Sequence, residues 1–343
     1  MSLKHIPSLD GFRGVACLIV LLAHMTPLYV SGAFGVDMFF VLSGFLITGI
    51  LVSEIDKTGR IALLKFYVRR FLRLLPALWL TVIAVLGTLY FVDDLRPEYI
   101  REAIYAVTYI SNWIHALGIE DRYFLGHTWS LAIEEQFYII WPFALLLLTR
   151  CKLGHGRNAL VLASLALFVA IYRNIPGYDD MRIYRGLDTH CDGLLLGSAL
   201  AYFLLTVQAK APALTKLLPW AAYPACLILL TFPIKLGWTH WPTPLFGYAV
   251  INMMSCIVIW EIVTHQQGPI ARVLSLKPLT YSGKISYGLY LYHWPIVIAA
   301  RHLLPDAQWY VHAAIAFPAA YIVSDLSFRF IESRFLAMKR HFA

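Results

Sequence analysis

The first apolar segment of the chain carries an arginine and a histidine at helical spacing. Arg13 and His24 are 11 residues apart, which is about three helical turns, so a helix places them on one face with ~16 Å between them along its axis. Ionisable residues inside a lipid bilayer are costly and are therefore candidates for function. We expect Arg13 toward the cytoplasm and His24 toward the outer half. The alternative is that Arg13 extends to the membrane surface and His24 only packs.

Acidic residues lie in two further apolar segments. Asp37 opens the second segment near the depth expected for His24, where a carboxylate could orient an imidazole or could instead complement the dipole of its own helix. Glu134 lies near the start of a later segment. Because its neighbour Glu135 points about 100° away on a helix, we favour Glu134 as the carboxylate that faces a site. Polar or aromatic residues share its helix face: His127, Ser130, Phe137, Tyr138 and Trp141.

Three arginines form a cluster at the start of the third apolar segment. Arg69 and Arg73 are four residues apart and Arg70 lies between them, so a helix presents the three guanidinium groups on one side. Such a cluster suits phosphate binding, since each guanidinium can donate two parallel hydrogen bonds. Anchoring to lipid headgroups explains the cluster almost as well.

Composition indicates the class of protein that holds these residues. Of the 343 residues, 59% are hydrophobic and 14% are charged, and the mean hydropathy is +0.66. Ordinary soluble domains have roughly a quarter charged residues, so a soluble protein is excluded. We attribute the net charge of +8 to positive cytoplasmic loops and expect no nucleic-acid partner. The five cysteines lack zinc-ligand spacing, so we expect no metal site.

The chain is therefore predicted to be an all-α, multi-pass membrane protein with about ten transmembrane helices in a single domain, residues 1–343. A span needs ~20 apolar residues. If the marginal stretch 101–117 does not cross, every basic cluster falls on the cytoplasmic side together with both termini. We expect this stretch to form one interfacial or re-entrant helix with Ile104 and Leu117 in its apolar stripe. The predicted spans are 7–29, 34–53, 71–91, 128–149, 158–173, 190–207, 217–234, 245–263, 284–303 and 309–328.

Five sequence blocks, in order along the chain, resemble the acyltransferase-3 family of integral membrane O-acyltransferases. One departure is the triplet His190-Cys191-Asp192, which stands where family members commonly have Arg-Ala-Asp and leaves the role of that arginine open. The resemblance is to the short form without an SGNH domain. The five blocks are Arg13 with His24, the segment 35–45, the arginines at 69, 70 and 73, the segment 129–138, and the segment 285–295.

The resemblance implies transfer of an acyl group, usually acetyl, from cytoplasmic acyl-CoA to a hydroxyl of a cell-envelope glycan or lipid-linked saccharide at the bacterial inner membrane. Acyl-CoA (acetyl-CoA) would be a co-substrate, and no tightly bound cofactor is expected. His24 would be the general base, with Asp37 or Glu134 holding its tautomer. The expected donor-binding residues are Arg13, Arg69, Arg70 and Arg73. The expected substrate-binding residues are Trp129, Ser130, Tyr138, Asp192, Tyr292 and His293.

Two other functions are compatible with the pattern. About ten spans with buried His, Asp and Glu could form a transporter or exporter of a sugar or polyol, although the chain lacks the internal repeats of many transporters. Alternatively, the acyl group could be transferred on the cytoplasmic side to a small molecule, in which case the acceptor would bind beside the arginine cluster.

Overall fold

The computed structural model describes residues 5–27, 31–92, 96–120, 124–174, 177–210, 212–235 and 246–342. These residues contain no β-strand, which confirms the predicted all-α class. The α-helices are α1 (Pro7–Met25), α2 (Ala33–Thr58), α3 (Leu63–Val92), α4 (Pro97–Val107), α5 (Ser111–Ala116), α6 (Trp129–Arg150), α7 (His155–Tyr172), α8 (Asp180–Arg185), α9 (Leu187–His190), α10 (Asp192–Lys210), α11 (Pro212–Lys235), α12 (Tyr248–Thr264), α13 (Pro269–Leu274), α14 (Lys277–Lys284), α15 (Ser286–Leu303), α16 (Trp309–Ser327) and α17 (Ser333–Met338). Short turns of 3₁₀ helix at Gly126–Thr128 and Lys339–Phe342, and of π helix at Phe328–Glu332, complete the described secondary structure.

The helices are those of a multi-pass membrane protein. In the described part of the chain, seven are long and apolar enough to cross a membrane, and two others, Asp192–Thr206 and Tyr248–Thr264, are apolar but shorter. Each predicted span overlaps a helix over most of its length, although the spans 190–207 and 284–303 each begin one residue before a break between two helices, and residues 28, 29 and 245 lie outside the described residues. The total of ten crossings and the cytoplasmic location of the termini stay predictions.

The stretch 101–117 does not form the single helix that was expected. The stretch is divided between two short helices, α4 and α5. Tyr109, which lies between them, has a φ of 55°, and this conformation ends the helix. Gln136 of α6 stabilises this non-helical conformation, since its Nε2 donates to the Tyr109 carbonyl oxygen at 2.6 Å. The polar face of α5 is buried in the protein, whereas Ile104 and Leu117 are 50% and 61% exposed. The expected division into a polar and an apolar face is therefore correct, but the expected continuous helix is wrong.

Glycine contacts bring α2 and α10 together at backbone distance. A Cβ atom built on Gly44 would lie 2.0 Å from the carbonyl oxygen of Leu194, and one built on Gly197 would lie 1.9 Å from that of Val41. Because backbone atoms cannot move away as a flexible side chain can, any larger residue must separate the two helices. Small residues at such crossings are how membrane helices pack closely. This crossing fixes the rotation of α2 about its axis, and with it the directions in which Asp37 and Ser43 point.

A glycine substitution tests this packing. We expect Gly197→Ala to lower the free energy of unfolding by about 1–3 kcal/mol, since overpacked sites typically cost that much. Gly87→Ala in α3 is the matched control, because a Cβ there meets no atom within 4 Å, and alanine favours a helix by roughly 0.5–1 kcal/mol. Denaturant titration of the purified protein measures both changes. Equal stability of the two variants would contradict the close approach.

Candidate active site

Two cavities in the helix bundle share part of their lining. The first, which we call the arginine cavity, has a volume of about 180 Å³, and the second, the histidine cavity, has a volume of about 320 Å³. Val36 of α2 and Tyr290 of α15 line both cavities. The charged residues of the arginine cavity are Arg13, Arg70, Arg73, Glu134 and Glu135. The polar and aromatic residues of the histidine cavity include His24, His127, Trp129, Tyr184, Arg185 and Trp294.

Two helices supply the cations of the arginine cavity. Arg13 comes from α1, and its Nη1 donates to Asp10 Oδ1 at 3.1 Å. Arg70 and Arg73 come from α3, one turn apart. The guanidinium carbon of Arg70 lies 3.4 Å from the centre of the Tyr138 ring, an arrangement that stabilises a cation over an aromatic face. Three guanidinium groups thus converge on a cavity that also contains two carboxyl groups.

The three arginines of the predicted cluster do not all face this cavity. Arg69 is absent from its lining, and its Nη1 instead donates to the carbonyl oxygen of Phe342 at 2.8 Å. Helical spacing predicts that the three residues share one side of α3. Only part of that side faces the cavity, and Arg69 lies outside that part. Arg13, which the resemblance placed among the expected donor-binding residues, takes the third position.

His24 lies in the histidine cavity and contacts a second histidine. Its Nδ1 is 2.9 Å from Nε2 of His293 on α15, and its ring also packs against Trp294 with 4.8 Å between ring centres. Nδ1 of His293 is 3.0 Å from the carbonyl oxygen of Leu289, one turn earlier on α15. A carbonyl oxygen can only accept a hydrogen bond, so Nδ1 of His293 carries the hydrogen.

This chain of hydrogen bonds fixes the tautomer of His24. Since Nδ1 of a neutral His293 carries the hydrogen, its Nε2 must accept. Nδ1 of His24 therefore donates to it, and the lone pair of His24 is left on Nε2. The unprotonated nitrogen is the one that points away from His293. His24 is thus held in the tautomer whose Nε2 can accept a proton.

Neither predicted carboxylate holds His24. Asp37 Oδ1 is 2.9 Å from Nε2 of His190, and Glu134 lines the arginine cavity. No hydrogen bond joins either carboxylate to His24 among the described residues. The expectation that Asp37 or Glu134 fixes the tautomer of His24 is therefore wrong. A similar depth along two helices does not decide which side chains meet, and a histidine takes the orienting position instead.

Asp37 and His190 belong to a buried polar group behind the wall of the histidine cavity. Both residues are 0% exposed. Nδ1 of His190 donates to the carbonyl oxygen of Tyr184 at 2.6 Å, and its Nε2 is hydrogen-bonded to Asp37 Oδ1 at 2.9 Å. Because both ring nitrogens are engaged, His190 cannot also act as a base. It holds Tyr184, which packs against Trp129 with 4.4 Å between ring centres, and both rings line the cavity.

The predicted substrate contacts separate into two sets. Trp129 lines the histidine cavity, and Ser130 and Tyr138 line the arginine cavity. The other three residues are absent from both linings: Asp192 is hydrogen-bonded to Arg173 and Asn252, Tyr292 to Ser327, and His293 to His24.

Tyr290 is the residue that sequence reasoning missed at the junction of the cavities. Its hydroxyl donates to the carbonyl oxygen of His127 at 2.9 Å and is 2.5 Å from Ser130 Oγ, which donates to it. His127 in turn donates from Nε2 to the Leu291 carbonyl oxygen at 3.1 Å, so its Nδ1 keeps a lone pair. Helical spacing carried the signal for Tyr290, because it lies one turn after Ser286 and one turn before Trp294, which also line the cavities.

Comparison with known proteins shows which protein family the sequence matches. A family model described as an acyltransferase domain matches residues 6–329. The chain is 34% identical to the peptidoglycan O-acetyltransferase OatA of Listeria monocytogenes and 35% identical to the O-acetyltransferase OatA of Staphylococcus aureus. Each alignment covers 97% of this chain but only 56% and 57% of the relatives, so the chain spans just over half of their length. No solved structure matches the chain significantly.

A double-mutant cycle tests the partner of Asp37. We expect Asp37→Ala and His190→Ala each to lower the free energy of unfolding by about 3 kcal/mol, since removal of one member of a buried pair leaves the other without its partner. Their effects should be non-additive by about 0.5–3 kcal/mol, as is usual for residues in contact. The matched cycle of Asp37→Ala with His24→Ala should be additive within about 0.5 kcal/mol. Coupling to His24 but not to His190 would contradict the assignment.

Proposed function

The chain belongs to the acyltransferase-3 family of membrane acyltransferases, and on that premise we propose that it transfers an acetyl group from acetyl-CoA to a hydroxyl of a cell-envelope glycan. The single observation that carries this proposal is the pair of cavities. One contains three guanidinium groups, the other contains a histidine with an unprotonated nitrogen, and Val36 and Tyr290 line both. A donor and an acceptor could therefore enter separately and react where the cavities join.

The arginine cavity fits the donor. Coenzyme A carries phosphate groups at one end and its thioester at the other, and a flexible pantetheine arm joins them. Arg70 and Arg73 can donate charge-assisted hydrogen bonds to phosphate oxygens. Arg13 extends the positive surface along α1 toward the histidine cavity. The apolar residues of the lining, such as Val36 and Phe39, suit the arm that would carry the acetyl group toward Tyr290.

His24 supplies the base. In the proposed step, its Nε2 takes the proton of the acceptor hydroxyl while the hydroxyl oxygen attacks the thioester carbonyl carbon. The carbon–sulfur bond then breaks, the ester of the acceptor forms, and the sulfur leaves as thiolate, which recovers the proton and departs as coenzyme A. His293 is a positioning residue in this scheme, because it holds Nδ1 of His24 and never contacts the reacting atoms.

The histidine cavity fits a sugar acceptor. Trp129, Tyr184 and Trp294 present aromatic surfaces, and ligand sites of this kind combine aromatic walls with a few polar groups that fix orientation. His127 and Arg185 are such polar groups. The Listeria relative is named for O-acetylation of peptidoglycan, which supports a cell-wall glycan or its lipid-linked precursor as acceptor.

The two alternatives from the sequence fit less well. Membership of an acyltransferase family argues against a sugar or polyol transporter. Transfer to a small molecule beside the arginine cluster would leave the histidine cavity without a ligand and would separate the acceptor from His24. The presence of two cavities therefore favours an acceptor that binds in the histidine cavity, apart from a donor in the arginine cavity.

Loss of the base is the direct test of the proposed reaction. With purified protein in nanodiscs, labelled acetyl-CoA and soluble peptidoglycan fragments, we expect acceptor-dependent labelling of the glycan. His24→Ala should lower kcat by about 10²–10⁴-fold, the usual contribution of general-base catalysis. His302→Ala is the control, because His302 is exposed at the end of α15 and should leave kcat unchanged. Full activity of the His24 variant would remove the base from the scheme.

The positioning role of His293 has its own signature. We expect His293→Phe to lower kcat by about 10²-fold, since misplacement of a catalytic group by an ångström can cost that much. The KM values for acetyl-CoA and for the glycan should change less than twofold, because His293 contacts neither substrate. Steady-state kinetics over both substrates measures the difference. A rise in either KM with an unchanged kcat would make His293 a binding residue instead.

A further inference from the structure

The last described segment of the chain returns to the arginine cluster. After α16, the helix continues through a π-helical turn at Phe328–Glu332 into α17, and the turn Lys339–Phe342 follows. Both α17 and this turn pack against α3. The hydrogen bond from Arg69 to the carbonyl oxygen of Phe342 fastens the turn beside the cluster. The segment 333–342 therefore lies against the part of α3 that carries the arginines.

Lys339 joins the three arginines at this place. It is half-buried, and it lies near enough to Arg73, Arg70 and Arg69 for their charges to act on it. Burial, together with repulsion from these guanidinium groups, lowers the pKa of Lys339 to about 7. Four basic residues thus crowd together, and a bound anion would relieve the repulsion among them.

The cluster is continuous with the arginine cavity. Arg70 and Arg73 line that cavity. Arg69 instead contacts the turn Lys339–Phe342, to which Lys339 belongs. A molecule with several phosphates near one end could therefore place one group against Arg69 and Lys339 and extend past Arg70 and Arg73. A lysine that only anchors the chain to lipid usually keeps its ammonium group in water. Lys339 is partly withdrawn from water instead, which favours a ligand held between α3 and the segment 333–342.

We propose that the segment 333–342 completes the donor site, with Lys339 and Arg69 binding the phosphates of the nucleotide end of the acyl donor. This inference rests on the proposed function for the identity of the donor. It assigns to Lys339 a specificity role: recognition of the nucleotide and not of the acyl group. The headgroup of an anionic lipid offers the same phosphate chemistry, so the experiment must separate the two sources.

Binding of adenosine 3′,5′-bisphosphate tests the proposal. This probe carries nucleotide phosphates but no pantetheine arm, and its affinity can be measured by calorimetry on the full chain in nanodiscs of uncharged lipid. We expect Lys339→Ala to weaken binding about tenfold, the equivalent of losing one charge-assisted hydrogen bond. Lys339→Arg should restore most of the affinity. Arg334→Ala is the matched control, because Arg334 lies in the same segment but is exposed, and it should bind as the wild type does.

Three results would overturn the proposal. Equal affinities of the Lys339→Ala and Arg334→Ala variants would show that Lys339 does not bind the nucleotide. An effect of Lys339→Ala that is confined to nanodiscs with anionic lipid would assign the residue to headgroup binding. Wild-type protein that does not bind the bisphosphate would show that no nucleotide site exists there. Normal nucleotide binding without acetyl transfer would instead contradict the proposed function and leave the assignment of Lys339 standing.

Discussion

The carbonyl oxygen of Leu289 can only accept a hydrogen bond, and the protonation of the two imidazoles in front of it depends on that fact. His293 must donate to it from Nδ1, His24 must then donate to His293, and the lone pair of His24 faces away from both. No carboxylate takes part. The arrangement therefore leaves Nε2 of His24 unprotonated without a carboxylate, whose charge would be costly in the membrane.

This hydrogen-bond chain requires that α1 and α15 be held in register, and the rest of the fold supplies that constraint. Gly14 of α1 lies so close to α14 that a Cβ atom there would be 2.2 Å from the Leu279 carbonyl oxygen. Since α14 leads directly into α15, this contact also sets the height of His293 relative to His24. The crossing of α2 and α10 in turn fixes the position of Val36, which lines both cavities together with Tyr290. The side chains that the two cavities share thus lie on helices that are held by backbone-distance contacts.

Much of this organisation could be predicted from the sequence, because it depends on local periodicity. Apolar runs located the spans, and the distance between Arg13 and His24 placed them correctly at separate levels of one helix, where they line different cavities. Contacts between helices could not be predicted in the same way. Asp37 lies near the start of the second segment, at the depth expected for His24 near the end of the first, yet Asp37 is hydrogen-bonded to His190, which lies 153 residues away in the sequence. The motif predicts Tyr292 and not Tyr290 as a substrate contact, because a motif alone does not say which face of α15 is turned inward.

In the proposed reaction, donor and acceptor occupy different cavities and meet beside His24. A structure, by cryo-electron microscopy, of the protein bound to a non-reactive thioether analogue of acetyl-CoA tests this arrangement. We expect the phosphates to lie at Arg70 and Arg73 and the acyl end to reach Val36 and Tyr290, on the side where His24 holds its lone pair. An analogue whose nucleotide lies in the histidine cavity, or whose acyl end lies away from Val36 and Tyr290, would contradict the proposed arrangement.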